Sequence, residues 1–172
     1  MSIATTMLPE FDEEFGSTRR FLELVPDHKL AWKAHGKSME LGRLAWHLTD
    51  FPTWVKHTVA EDAVAFSAEE GTRMMNQWNG KTRNQMLARF DADLKVARGA
   101  LASTPDEAWP RRWTLDWGGQ IVIDSPRLAV YRKWAMSHQA HHRAQLGMYL
   151  RLNNIAIPGV YGPSADDIAA SQ

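Results

Sequence analysis

Residues 125–150 read SPRLAVYRKWAMSHQAHHRAQLGMYL, and the periodicity of this stretch decides the fold. With about 100° of rotation per residue, Leu128, Tyr131, Ala135, Leu146 and Leu150 share one face, the pattern of an amphipathic helix. Ser125 suits an N-cap and Pro126 the first helical position, so the spacing predicts a helix from this pair to about Leu150. His142 falls inside the apolar stripe and His138 at its edge beside Tyr131. The two are four residues apart, which stacks their rings one turn above the other. His141 lies roughly 100° away and reads as a flank residue.

Working outward, three more helices are expected. Phe11, Phe15, Leu22 and Val25 predict a first helix from about Glu10 to Val25, stopped by Pro26. Ser38 is a candidate N-cap for a second, carrying Leu41, Leu44, Leu48, Phe51 and Val55, with Pro52 expected to kink or split it. Residues 60–80 are weakly patterned and read as a long connection with one short helix. Thr82 and Gln85 have capping-box spacing ahead of Leu87, Phe90, Leu94, Ala97 and Leu101, a third helix ended before Pro105. Between it and the last helix, Trp113, Leu115 and Trp117 alternate, as do Ile121 and Ile123, around Gly118-Gly119. This is the pattern of a small β-hairpin. The expected architecture is all-α, a four-helix bundle with a β-hairpin inserted before the last helix, formed as one domain over residues 1–172.

Composition narrows the function. Lys plus Arg and Asp plus Glu number 20 each, so the chain lacks the positive excess that phosphate-driven nucleic-acid binding requires. No apolar run approaches the ~18 residues of a membrane span, and the first nine residues have neither the basic start nor the apolar core of a signal peptide. A cytoplasmic protein is expected. There is no cysteine, which excludes disulfides, a cysteine nucleophile and thiolate metal ligands. Any metal here must be held by imidazole, carboxylate or water. Eight Trp and eight Met are unusual for this length, and both residue types fill irregular space between helices.

Two imidazoles make a weak site, and a third is needed for a zinc-type centre with an open position. His47, on the second helix at the border of its apolar stripe beside Leu44 and Leu48, is the candidate. Asp50, one turn on, is placed to be a fourth ligand or to accept from an imidazole N–H. Gln145 lies near the direction of His138, and Tyr131 is a candidate pocket wall. Arg143 reads best as an ion-pair partner of another helix, and Tyr161 is considered as a tail residue that closes over the site. Imidazole ligands suit Zn²⁺ or Ni²⁺ equally.

The run Ser137-His138-Gln139-Ala140-His141-His142-Arg143-Ala144-Gln145-Leu146 resembles the C-terminal signature of the DinB/YfiT-like superfamily. So do Tyr149-Leu150-Arg151-Leu152, Ile157-Pro158 and Tyr161-Gly162 after it. The stretches from Trp32 to Ser38 and from Leu41 to His47 are similar to that family's second-helix signature. Family members often carry glycine where Ala144 stands and proline where Ala34 stands, neither of which touches the ligand positions. The resemblance implies a four-helix bundle, often a homodimer, with a divalent metal on His47, His138 and His142. Characterised relatives include enzymes that use an exogenous low-molecular-weight thiol. The resemblance therefore implies a thiol transferase or isomerase acting on a small electrophile. Two alternatives stay open: a non-enzymatic dimeric bundle with a structural metal or a small-molecule binding role, and a hydrolase using metal-bound hydroxide.

Overall fold

The computed structural model describes residues 2–171 and is mostly helical, with one three-stranded sheet. Helix α1 (Ile3–Glu23) begins earlier than the expected Glu10. Two caps account for the extra turns. The Ser2 side chain accepts from the Thr5 N–H, and Asp106 Oδ1 accepts from the Ile3 N–H at 2.8 Å. With its first turn satisfied in this way, the helix runs through Pro9, which forfeits one backbone bond.

The second helix is divided as its proline predicts. Helix α2 (Leu41–Leu48) ends two residues before α3 (Phe51–Ala60), which carries Pro52 in its first turn. Glu40, not the expected Ser38, stands at the N-cap of α2, and its side chain makes no capping bond. In the stretch read as a connection lie strand β1 (Ala63–Phe66) and the short helix α4 (Ala68–Asn76), the latter closed by a Ser67–Glu70 capping box. Helix α5 (Arg83–Ala102) has both halves of the Thr82–Gln85 box.

Strands β2 (Arg112–Trp117) and β3 (Gln120–Pro126) form the expected hairpin. Gly118 and Gly119 both have positive φ, 63° and 83°, the backbone that a two-residue turn of the primed type requires. The insertion is larger than a hairpin, however. β1 pairs in parallel with β2, Val64 opposite Leu115, giving the order β1-β2-β3. Ser125 is not a cap: it pairs with Trp113 in the ladder, and Pro126 ends the strand opposite Arg112. The last long helix starts only at Arg127, as α6 (Arg127–Val130), a π-helical segment (Tyr131–Ser137) and α7 (His138–Leu152) in one continuous run. A short α8 (Ala165–Ala170) follows in the tail.

Packing joins the helices in a closed ring. α1 lies on α5 and α7, α5 on α3, α3 on the π segment, and α2 on α7. Phe11, Phe15, Leu44, Phe51, Phe90 and Leu146 are buried between them. A second cluster of Val64, Trp113, Leu115, Ile123 and Val130 seats the sheet against the start of the last helix. Among the described residues, no helix is long and apolar enough to cross a membrane.

One buried cation joins the two parts. Arg127 is 3% exposed. Its guanidinium donates to the Thr58, Glu61 and Ala108 carbonyls at 2.8, 2.8 and 3.0 Å, and pairs with Asp62 at 2.5 Å. The end of α3, the lead into β1 and the turn before β2 are thereby fixed to the helix that carries the histidines. Removing the guanidinium strands three carbonyls, two of which leave the end of α3. Arg127→Met is expected to lower unfolding free energy by roughly 3–5 kcal/mol, read as the midpoint shift in urea denaturation followed by circular dichroism.

Candidate metal centre

Helix α2 presents Arg43 and His47, four apart on one face, and Asp50 follows at the N-cap of α3. The helix opposite presents His138 and His142, again four apart. Both faces look into one cavity of about 320 Å³, roofed by α4 and the sheet. The three histidines that the spacing singled out are brought together there. One ring nitrogen from each of His47, His138 and His142 lies within 4.8 Å of the other two. The Nε2 atoms of His138 and His142 are 2.9 Å apart. The His47 ring centroid is 4.6 Å from that of His142 and 5.5 Å from that of His138.

The outward nitrogens are committed elsewhere, which orients the inward ones. His142 Nδ1 faces Gln145 Oε1 at 2.7 Å. A glutamine carbonyl oxygen can only accept, so Nδ1 carries the proton and Nε2 presents its lone pair to the cluster. His47 Nδ1 makes a longer contact, 3.4 Å, to Asp50 Oδ2, while Asp50 Oδ1 is held by Arg89 at 2.8 Å. Arg89 also donates to Thr49 Oγ1 and lies over the Trp46 ring. Asp50 therefore stands behind His47, outside the converging ligand atoms, and Arg89 fixes it there.

Electrostatics favour a cation. Burial holds the His142 imidazole down to about 4, with the neighbouring His47 adding to the effect. His138 is lowered by the same two causes, burial first. Both rings are neutral near pH 7, with lone pairs free to donate. Three converging imidazoles, two of them with a partner on the outer nitrogen, in a largely apolar surround are a donor set that fits a divalent transition-metal ion.

Other candidates lie elsewhere. Tyr131 does not line the cavity: it is fully buried and packs edge-on to Trp109, centroids 5.6 Å apart. Burial pushes its phenol well above the usual range. Arg143 is the structural partner expected of it, buried against Glu14 at 2.8 Å. Tyr161 does not close over the site, because its hydroxyl bridges Arg143 and Glu14 at 2.8 and 2.7 Å and ties the tail to α1. His141 is exposed, as a flank residue should be. Sequence reasoning missed Arg43, Trp54, Met74 and Met75 as cavity walls. For Arg43, the signal was present in its position one turn before His47.

A sequence model of the DinB family matches residues 1–172. This chain belongs to the DinB family. Across 94% of its length the DinB-family chain is 25% identical to YrdA of Bacillus subtilis (strain 168), an uncharacterized protein of which it covers 90%. Two crystal structures share the fold. A DinB-like protein from Bacillus subtilis, YjoA, superposes with a TM-score of 0.68 at 15% identity, over 90% of this chain and 96% of that one. A DinB-like protein from Bacillus cereus ATCC 10987 gives 0.67 at 22% identity, over 90% and 95%. The expected family and the helical DinB-like fold are both found.

Metal content tests the centre directly. Elemental analysis of purified wild-type protein is expected to give close to one divalent ion per chain, lost in His138→Ala. Gln145→Leu removes only the partner that orients His142, so it should keep the fold and weaken metal affinity by about 10–100-fold, measured by competition with a chromogenic chelator.

Proposed function

We propose that this DinB-family protein is a metal-dependent thiol transferase or isomerase, built as a four-helix bundle, that joins an external low-molecular-weight thiol to a small electrophile. The observation that carries this reading is the pairing of three converging imidazoles with a cavity whose walls offer no hydroxyl, thiol or amine nucleophile. No serine, threonine, tyrosine or lysine lines it, and the chain has no cysteine. With Asp50 held by Arg89 and the imidazoles turned to one another, the attacking group in this reading comes from outside. A divalent ion, zinc or nickel, held by His47, His138 and His142 would supply the Lewis acidity that makes a bound thiol nucleophilic at neutral pH.

The protein's own residues do the remaining work. Gln145 and Asp50 hold two of the imidazoles in the tautomer that keeps a nitrogen lone pair facing inward. Trp54, Trp117 and Trp134, with Leu115 and Ile123 from the sheet, exclude water and favour an apolar electrophile. In a transfer, the sulfur–carbon bond forms as the leaving group departs with its bonding electrons, and the thiol proton is released to solvent. The predominantly apolar walls favour this reading over hydrolysis, because they suit an apolar electrophile better than a string of ordered waters.

Turnover decides between these readings. Metal-loaded protein is expected to consume 1-chloro-2,4-dinitrobenzene only when a cellular thiol is supplied, and His142→Ala should fall to the uncatalysed rate. A panel of thiols that stays at background on protein carrying its full metal complement would refute the proposal. Hydrolysis of simple esters without thiol would favour the hydrolase.

A further inference from the structure

We infer that the cavity takes an apolar carboxylate, and that Arg43 receives its carboxylate group. Arg43 is half-buried on the cavity face of α2, one turn before His47. Other inward-placed arginines have carboxylate partners: Arg89 holds Asp50, Arg127 holds Asp62 and Arg143 holds Glu14. Arg43 has none among the described residues. Its polar contact is Met75 Sδ at 3.5 Å, a weak acceptor. The nearest acid in sequence, Glu40, is taken by Lys33 at 3.2 Å, and Asp50 is taken by Arg89.

An arginine facing an apolar cavity without a counter-ion is costly unless a ligand supplies one. Its planar fork of donors matches a carboxylate with two parallel hydrogen bonds. The remaining walls are aromatic and aliphatic, so the body of the ligand is apolar. Four residues of α2 separate Arg43 from His47, a rise of about 6 Å. The two side chains therefore leave the helix one turn apart on the cavity side. The cavity volume of about 320 Å³ admits a small molecule of this kind. Arg43 is thus a positioning residue: it sets which end of the substrate approaches the histidines. The inference deepens the transferase reading by naming its substrate class, and its test reads binding alone, so failure of the thiol chemistry and failure of carboxylate recognition are separate results.

Four tryptophans, Trp46, Trp54, Trp117 and Trp134, line the cavity and report occupancy by fluorescence. Protein with and without metal is titrated with 4-phenylbutyrate, its primary amide and 2-phenylethyl phosphate. The carboxylate is expected to bind about tenfold tighter than the amide, the scale of a charge-assisted pair, whether or not metal is present. Arg43→Gln should remove that preference while the amide binds as before, and Arg43→Lys should restore part of it. Arg43→Met, which keeps the side-chain stem against Met75, should behave as Arg43→Gln does. Equal affinity of wild type for carboxylate and amide overturns the inference, as does a preference that survives in both neutral variants. A preference that vanishes when metal is stripped assigns the carboxylate to the ion instead of Arg43. Tighter binding of the phosphate overturns the assignment to carboxylates.

Discussion

The π-helical segment from Tyr131 to Ser137 is the constraint on which the site depends. The His138 N–H bonds to the Lys133 carbonyl, five residues back where an α-helix would use four. One extra residue in the turn rotates everything after it by about 100° relative to an uninterrupted helix. Tyr131 and Ala135 face the core within the segment, Gln139, Leu146 and Leu150 face it afterwards, and His138 and His142 are turned toward His47 of α2. At constant pitch His138 would lie on the same face as Tyr131; with the π turn between them, Tyr131 packs in the core against Trp109 and His138 joins the other two histidines. The π turn lets one helix serve the hydrophobic core along its length and still deliver two adjacent imidazoles to a cavity.

That helix is oriented in turn by its attachment to the sheet. Arg127 bonds the end of α3 and the turn before β2 at the point where the helix begins, and the sheet it anchors supplies one wall of the cavity. The roof closes through two glycines. A side chain at Gly71 would place its Cβ 2.1 Å from the Trp117 ring, and one at Gly42 would lie 2.7 Å from Trp78. Both contacts bring an aromatic ring close against a helix backbone, so α4 sits close to β2 and the segment after α4 sits close over α2. The cavity exists because helix and sheet are held apart by aromatic rings and held together by one buried guanidinium.

How much of this was legible in the sequence follows from the range of each signal. Local patterns were reliable: the Thr82–Gln85 cap, the division at Pro52 and the Gly118-Gly119 turn each depend on a few adjacent residues. The convergence of His47 with His138 and His142 was also readable, from helical spacing joined to the family signature. Features that depend on distant partners were not. The start of α1 at Ile3 needs Asp106, and β1 is four residues whose only pairing is parallel to a strand almost fifty positions later. Ser125-Pro126 has the local form of a helix start, but pairing with Trp113 and Arg112 holds both residues in the ladder. Tyr131 fell on the correct helix and the wrong wall, because a wheel drawn at constant pitch cannot show a π turn.

Composition carried a signal that spacing did not. Of eight tryptophans and eight methionines, Trp46, Trp54, Trp117 and Trp134 with Met39, Met74 and Met75 line the cavity beside the histidines. Tryptophan gives rigid, extended apolar walls, whereas methionine is unbranched and polarizable and adapts to what it meets. The methionines lie on α4 and just before α2, on the side of Arg43, and Trp134 and Phe51 pack edge-on to His138. The arrangement makes the reacting end of the cavity stiff and the recognition end compliant. A metal centre gains from the first, since imidazole rings packed between fixed aromatic surfaces keep their orientation without an ion to hold them. A protein that accepts several related apolar molecules gains from the second, because a flexible wall adjusts to each at little cost in packing.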